Sequence, residues 1–156
     1  MNEGPLIQAE DLAERLEDTA LRIFDCRFDL ARPDAGRAHY GDEHIPGAVY
    51  ADLNRDLSVP QTPGAGRHPL PAPSEFEARL REWGVSGDSV VVAYDDGNSM
   101  YAARLWWMLR WLGHERALVR VDGEPIGHMM TAEYGSRMLS LGGVDHLTGG
   151  SKKEGR

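Results

Sequence analysis

Two kinds of hydrophobic pattern alternate along the first 121 residues of the chain. Short runs of nearly continuous apolar residues predict buried strands, and segments with leucine or aromatic residues at helical spacing predict amphipathic helices. The strand patterns cover residues 21–26, 48–50, 90–94 and 117–121, and the helix patterns cover residues 9–16, 74–83 and 101–112. This alternation predicts an α/β fold with a central, mostly parallel sheet and helices on both of its faces.

Local signals predict where these elements begin and end. Ser74 followed by Glu77 is a capping-box pattern, which predicts Ser74 as the N-cap of its helix. Gly84 and Gly113 are predicted to end the two longer helices. The proline-rich segment 54–73 is predicted to be a surface loop.

Composition changes near residue 123, and this change gives the predicted domain boundary. Both lysines of the chain, Lys152 and Lys153, lie beyond it, and residues 124–156 have no sustained apolar period. We therefore predict one folded domain over residues 5–123, followed by an unrelated, disordered tail over residues 124–156.

Charge and targeting signals narrow the class of protein. The net charge of −8 argues against a nucleic-acid partner and against binding to an anionic membrane surface. No apolar run is long enough for a transmembrane helix, and the N-terminus lacks the pattern of a secretory signal. A single cysteine, Cys26, excludes an internal disulfide. We expect a cytoplasmic protein.

Two carboxylates, Asp95 and Asp96, follow the most apolar strand pattern and precede a helix. Ligands of α/β proteins bind outside the carboxyl ends of the strands, so this position is a candidate site. The interpretation we favour is that the carboxylates cap the following helix. A magnesium or phosphoryl-transfer site is the alternative, but residues 1–123 contain no lysine and no further carboxylates at a suitable position. We expect no metal and no cofactor.

Four motifs in order together resemble the rhodanese domain, and more narrowly the N-terminal domain of two-domain thiosulfate and 3-mercaptopyruvate sulfurtransferases. The resemblance covers residues 5–123. The motifs are Asp25-Cys26-Arg27, His44-Ile45-Pro46-Gly47-Ala48, the strand and loop at 90–101 with the helix start Ala103-Arg104-Leu105-Trp106-Trp107, and Leu112-Gly113-His114.

The resemblance implies transfer of sulfane sulfur from thiosulfate or 3-mercaptopyruvate to cyanide or a thiol. In the family a loop cysteine attacks the sulfur and becomes a persulfide. Asp95 stands where the catalytic repeat has this cysteine, so the resemblance implies an inactive repeat with no catalytic residue of its own. Met100, Tyr101, Arg27 and Arg104 are then expected on the wall of a substrate pocket. The implied partners are a catalytic rhodanese repeat and small sulfur-donor anions.

The chain departs from the family pattern after Val121-Asp122-Gly123, where Glu124-Pro125-Ile126 begins instead of a second glycine and a tryptophan-bearing helix. We therefore expect a domain that lacks its last helix, in a truncated, fused or frame-shifted form of a longer protein or a deliberately made fragment. Two alternatives stay open. The domain could be a non-enzymatic binding or scaffold module, or a single-domain sulfurtransferase that uses Cys26 as its nucleophile.

Overall fold

The structure is a computed structural model that describes residues 4–120. Within this range, five parallel strands form one sheet in the order β1-β5-β4-β2-β3. The predicted parallel sheet is confirmed, and its strands are β1 (Leu6–Ile7), β2 (Leu21–Asp25), β3 (Val49–Tyr50), β4 (Val90–Tyr94) and β5 (Ala117–Arg120).

The central strand is β4, which pairs with β2 on one side and with β5 on the other. Its side chains alternate between the faces of the sheet, as the two-residue period of a strand requires. Val91 and Ala93 join one hydrophobic cluster, and Val92 and Tyr94 join the other. Both faces of the strand are therefore covered, which explains why its sequence is apolar without interruption.

Within the described residues, four helices cover the sheet: α1 (Ala9–Glu14), α2 (Ala35–Asp42), α3 (Pro73–Glu82) and α4 (Met100–Trp111). Helices α3 and α4 bury Phe76, Leu80, Leu105 and Leu109 against one face of the sheet. Helix α1 buries Leu12 against the other face. The prediction of helices on both faces is confirmed.

Both longer helices end as the glycine signals predicted. Gly84 has φ +77° and Gly113 has φ +88°, a conformation that glycine adopts without steric cost. The amide of each following residue bonds back to the helix, Val85 to the Leu80 carbonyl and His114 to the Leu109 carbonyl, each at 2.9 Å. Each helix therefore closes with a Schellman motif.

The predicted capping box of α3 is wrong. The helix begins at Pro73, its N-cap is Ala72, and no side chain caps it. Proline suits the first helical position because its fixed φ fits the helix and its missing N–H group would have no partner there. The helix start is therefore set by Pro73, which places Ser74 inside the first turn.

Two elements have no counterpart in the sequence-based prediction, strand β1 and helix α2. Helix α2 buries only one residue, Gly36, so it has no apolar stripe for periodicity to detect. A Cβ atom at Gly36 would overlap the carbonyl oxygen of Arg27 and the hydroxyl of Tyr50. Glycine is therefore required for α2 to lie against the end of β2.

The two outer strands, β1 and β3, are each only two residues long. No helix within residues 4–120 has the length and hydropathy needed to cross a membrane. Val121 and the predicted tail, residues 124–156, lie outside the described residues.

Candidate functional site

The candidate site lies where β2 and β4 end side by side, at the carboxyl edge of the sheet. Asp25 pairs in register with Tyr94, so Cys26 and Asp95 follow them at the same edge. The amide of Cys26 donates a hydrogen bond to the carbonyl of Tyr94 at 2.8 Å. The topology thus brings together the two segments that the sequence singled out separately.

The Asp95 carboxylate lies inside a cradle of backbone N–H groups. One oxygen, Oδ1, accepts hydrogen bonds from Gly97 at 3.0 Å and from Ser99 at 3.1 Å. The other, Oδ2, accepts from Tyr101 at 3.1 Å and from Ala102 at 3.0 Å. The last two amides belong to the first turn of α4, where N–H groups lack partners within the helix. Asp95 therefore caps α4, as the favoured interpretation predicted, whereas none of these four amides bonds to the exposed Asp96, for which the same role was predicted.

The residue at the formal N-cap position, Ser99, does not cap the helix with its own side chain. It has φ 66°, in the left-handed region that L-residues rarely adopt. This conformation turns the loop so that its amides face the Asp95 carboxylate. The side chain that caps α4 therefore belongs to Asp95, four residues before the formal N-cap.

A second carboxylate, Asp25, forms a buried network below the loop. The Arg27 guanidinium donates to its Oδ2 atom, from Nε at 3.0 Å and from Nη2 at 2.6 Å. The Tyr94 hydroxyl donates to the same oxygen at 3.0 Å and accepts the Ile45 amide at 3.2 Å. Arg27 also donates to the Glu43 carbonyl at 2.7 Å. The network joins the ends of β2 and β4 to the turn after α2.

The network perturbs the ionisation of its members. Burial is the largest single effect on Arg27 and lowers its pKa, but the hydrogen bonds to Asp25 and the surrounding negative charges together outweigh burial, so the pKa of Arg27 is raised. The pKa of Tyr94 is raised well above its ordinary value, first because the ring is buried and next because Asp25 is negatively charged. Arg27 and Tyr94 therefore keep their protons across the neutral range.

The thiol of Cys26 is 1% exposed and belongs to the hydrophobic core. Burial raises its pKa well above the ordinary value, and the charges of Asp25 and Asp95 raise it further. Because the thiolate is the nucleophilic form, these surroundings disfavour a reaction at this sulfur. The structure thus provides no support for Cys26 as a nucleophile.

A cleft of about 450 Å³ lies beside the Asp95 loop and contains two of the predicted wall residues, Arg27 and Tyr101. The Tyr101 ring packs edge-on against Phe28, with 5.7 Å between ring centroids. Its pKa is raised, first by desolvation and then by carboxylates that include Asp29, Asp95 and Asp96. Met100, another predicted wall residue, is 53% exposed at the end of the same loop and is not among the residues that line the cleft.

A larger groove of about 1000 Å³ lies at the opposite, amino edge of the sheet and contains Val90 and Ala117. These residues begin β4 and β5, whereas the ligands of parallel sheets bind at the carboxyl edge. We therefore assign the candidate site to the smaller cleft.

Arg104, which the resemblance places on the pocket wall, is not among the residues that line the smaller cleft. Its Nη2 atom donates to the carbonyls of Leu57 at 2.7 Å and His68 at 2.8 Å. Both acceptors belong to the proline-rich loop, so Arg104 fastens this loop to α4. The His68 ring packs edge-on against Phe28 with 6.5 Å between centroids, which places the loop next to the wall of the cleft.

Sequence reasoning missed Tyr94 and Phe28 as parts of the site. Tyr94 reads as one more apolar strand residue, and its hydroxyl bond to Asp25 spans 69 residues of sequence. Within residues 4–120, no group of three or more histidine, cysteine or acidic side chains is arranged to hold a metal ion.

The protein is an α/β protein with a parallel sheet and helices on both faces. Its candidate site lies at the carboxyl edge of the sheet, where the loop between β4 and α4 surrounds the Asp95 carboxylate with N–H groups. The sequence profile of the rhodanese-like domain matches residues 8–123. The chain therefore belongs to the rhodanese-like domain family.

Known relatives agree with this assignment. The Pseudomonas aeruginosa protein named "Probable 3-mercaptopyruvate sulfurtransferase" is 48% identical over 124 residues, which are 79% of this chain and 44% of the relative. The 3-mercaptopyruvate sulfurtransferase from Leishmania major aligns with a TM-score of 0.66 and 37% identity, over 74% of this chain and 31% of that one. The crystal structure of SseA from Escherichia coli aligns with a TM-score of 0.65 and 37% identity, over 74% and 44%. The chain thus spans less than half the length of these relatives.

Proposed function

We propose that this chain is the N-terminal, non-catalytic rhodanese domain of a sulfurtransferase. The complete enzyme would move sulfane sulfur from thiosulfate or 3-mercaptopyruvate to cyanide or a thiol. The covalent step belongs to a cysteine on a second rhodanese repeat, whose thiolate takes the outer sulfur of thiosulfate, releases sulfite and then passes the sulfur on. In this assignment Asp95 stands at the position of that cysteine, and the domain contributes a wall of the substrate pocket.

The observation that carries the proposal is the occupied cradle at Asp95. Four backbone N–H groups that could hold an anion or a thiolate already bond to the domain's own carboxylate. A carboxylate is a poor nucleophile toward sulfur, and its negative charge repels anionic thiosulfate. The exposed carboxylate of Asp96 beside it adds to this repulsion.

Two further observations support a catalytic cysteine on a second repeat and a non-catalytic role for this domain. The one cysteine of the chain is buried with a raised pKa, which disfavours the single-domain alternative. The relatives are more than twice as long as the matched region, which leaves room for a second repeat. Met100 and Tyr101, on the loop side of α4, are the side chains that the domain would lend to the shared pocket, with Arg27 at its base.

The test compares the 156-residue chain with a chimera. In the chimera, the 124 matched residues of the Pseudomonas aeruginosa relative are replaced by the aligned residues of this chain. Thiocyanate formed from thiosulfate and cyanide, and sulfide released from 3-mercaptopyruvate and a thiol, are measured for both proteins. We expect no turnover by the chain and clear turnover by the chimera.

Cys26→Ser in both proteins is the matched control, and we expect it to leave both results unchanged. Turnover by the chain that disappears with Cys26→Ser would refute the proposal in favour of the single-domain enzyme. A folded but inactive chimera would refute it in favour of a binding or scaffold module. For such a module, a rise in melting temperature with sulfate or thiosulfate would reveal the ligand, since a ligand of the folded state must stabilise it.

A further inference from the structure

Helix α4 has an outward face that is unusually apolar. Its exposed residues are Met100, Ala103, Trp107, Arg110 and Trp111. Only one of them is charged, and the guanidinium of that residue lies over the Trp106 ring, 5.3 Å from the ring centroid. The neighbouring helix α3, on the same side of the sheet, exposes mainly charged residues, among them Glu75, Glu77, Arg81 and Glu82. The two helices therefore present very different surfaces.

Three large side chains form a single stripe on this face. Met100, Trp107 and Trp111 are seven and four residues apart, a spacing that places them on one side of a helix. They are 53%, 48% and 37% exposed, and the two indole rings stack with 6.0 Å between centroids. If a fully exposed tryptophan presents about 250 Å², the stripe exposes roughly 300 Å² of apolar surface. Patches of this size are often interaction sites.

The same face contains a cation with no acidic partner within the described part of the chain. Arg104 bonds only to the carbonyls of Leu57 and His68, and its Nε atom is buried without a hydrogen-bond partner. Desolvation lowers its pKa, as expected for a guanidinium with no carboxylate beside it. The chemistry that fits this face is an apolar surface with a carboxylate positioned near Arg104.

We infer that the stripe of Met100, Trp107 and Trp111, with Arg104 beside it, is the surface on which the catalytic repeat docks. This inference rests on the proposed function and assigns the interface that the proposed function requires. Met100 belongs both to the stripe and to the proposed pocket wall, so the interface is continuous with the pocket. The unmatched part of the relatives, more than half of the Pseudomonas aeruginosa protein, is tethered to the domain and therefore present at high effective concentration.

Hydroxyl-radical footprinting read by mass spectrometry tests the inference residue by residue. The chain and the chimera described above are labelled in parallel, and Leu6, which is 46% exposed on the outer strand β1, is the internal reference. We expect labelling of Met100, Trp107 and Trp111 to fall several-fold in the chimera, while labelling of Leu6 stays the same. Equal labelling of the stripe in both proteins would overturn the inference, even if the chimera is active.

Low labelling of the stripe in the chain alone would also overturn it, because a second copy or residues 121–156 would then cover the face. Light scattering on the chain separates these two causes. Trp107→Lys in the chimera should lower turnover, and Leu6→Lys, which introduces the same charge at a similarly exposed leucine, should not. An inactive chimera whose stripe is nevertheless protected would count against the proposed function and leave the docking surface supported.

Discussion

Replacing Asp95 by alanine should destabilise the domain far more than replacing Asp96, the other acidic residue of the loop between β4 and α4. The variant loses the carboxylate that accepts four backbone hydrogen bonds at the start of α4. The side chain is 4% exposed, so water does not fully replace it.

The magnitude follows from the surroundings of the four amides. Loss of an N-cap side chain costs about 0.5–2 kcal/mol. The amide of Ala102 is buried, and leaving a buried donor without a partner costs about 1–3 kcal/mol more. The amides of Gly97, Ser99 and Tyr101 are only part-buried and can bond to water. We therefore expect Asp95→Ala to lower the free energy of unfolding by about 3 kcal/mol.

Equilibrium unfolding in urea, followed by circular dichroism, measures this change, and a fall in melting temperature of about 10 °C should accompany it. Asp95→Asn keeps one acceptor oxygen and should lose about half as much. Asp96→Ala is the matched control, since its carboxylate is exposed and should matter by less than about 0.5 kcal/mol. If Asp95→Ala and Asp96→Ala were equally stable, the capping role assigned to Asp95 would be refuted.

Three further predictions test other parts of the structure. Gly36→Ala should cost about 2–3 kcal/mol because its Cβ overlaps neighbouring oxygens, whereas Gly41→Ala, in open space on the same helix, should be neutral or stabilising in the same denaturation assay. The raised pKa of Cys26 keeps its thiol protonated in the folded state while the unfolded thiol ionises above about pH 8.5. Stability should therefore be complete below that pH and fall above it by up to about 1.4 kcal/mol per pH unit, and Cys26→Ala should flatten this fall; an identical fall in the variant would assign it to other groups. Arg104→Met should release the proline-rich loop from α4 and speed its limited proteolysis, and a cleavage rate equal to that of the wild type would show that the loop is held by other contacts.

The sequence was sufficient to predict those parts of the fold whose cause is local. The uninterrupted apolar run of β4, the glycine ends of α3 and α4, and the carboxylate before α4 each have a signal within a few residues. The approximate place of Asp95 could therefore be predicted, and so could its role as a cap.

The parts that the sequence did not reveal depend on contacts between distant segments. Helix α2 forms because Gly36 allows close approach to the end of β2, and no periodicity of its own residues indicates this. Arg104 has acceptors 47 and 36 residues away, and these are backbone carbonyls, which every residue carries. From sequence alone, a nearby carboxylate is the natural partner for an arginine. The three-dimensional arrangement shows that carbonyls of the proline-rich loop bond to Arg104 instead.

The short outer strands of the sheet have a consequence for how the protein associates with itself when it is concentrated or heated. A long, flat outer strand offers a row of free N–H and C=O groups to another chain, which is a common start of aggregation. Here β1 and β3 offer only two residues each, while β2, β4 and β5 lie between them. Intermolecular strand pairing therefore requires that an outer strand first detach from the sheet. Aggregation of the folded domain through its sheet should be limited by the rate of this local opening, and substitutions that strengthen the pairing of β1 with β5 should slow it.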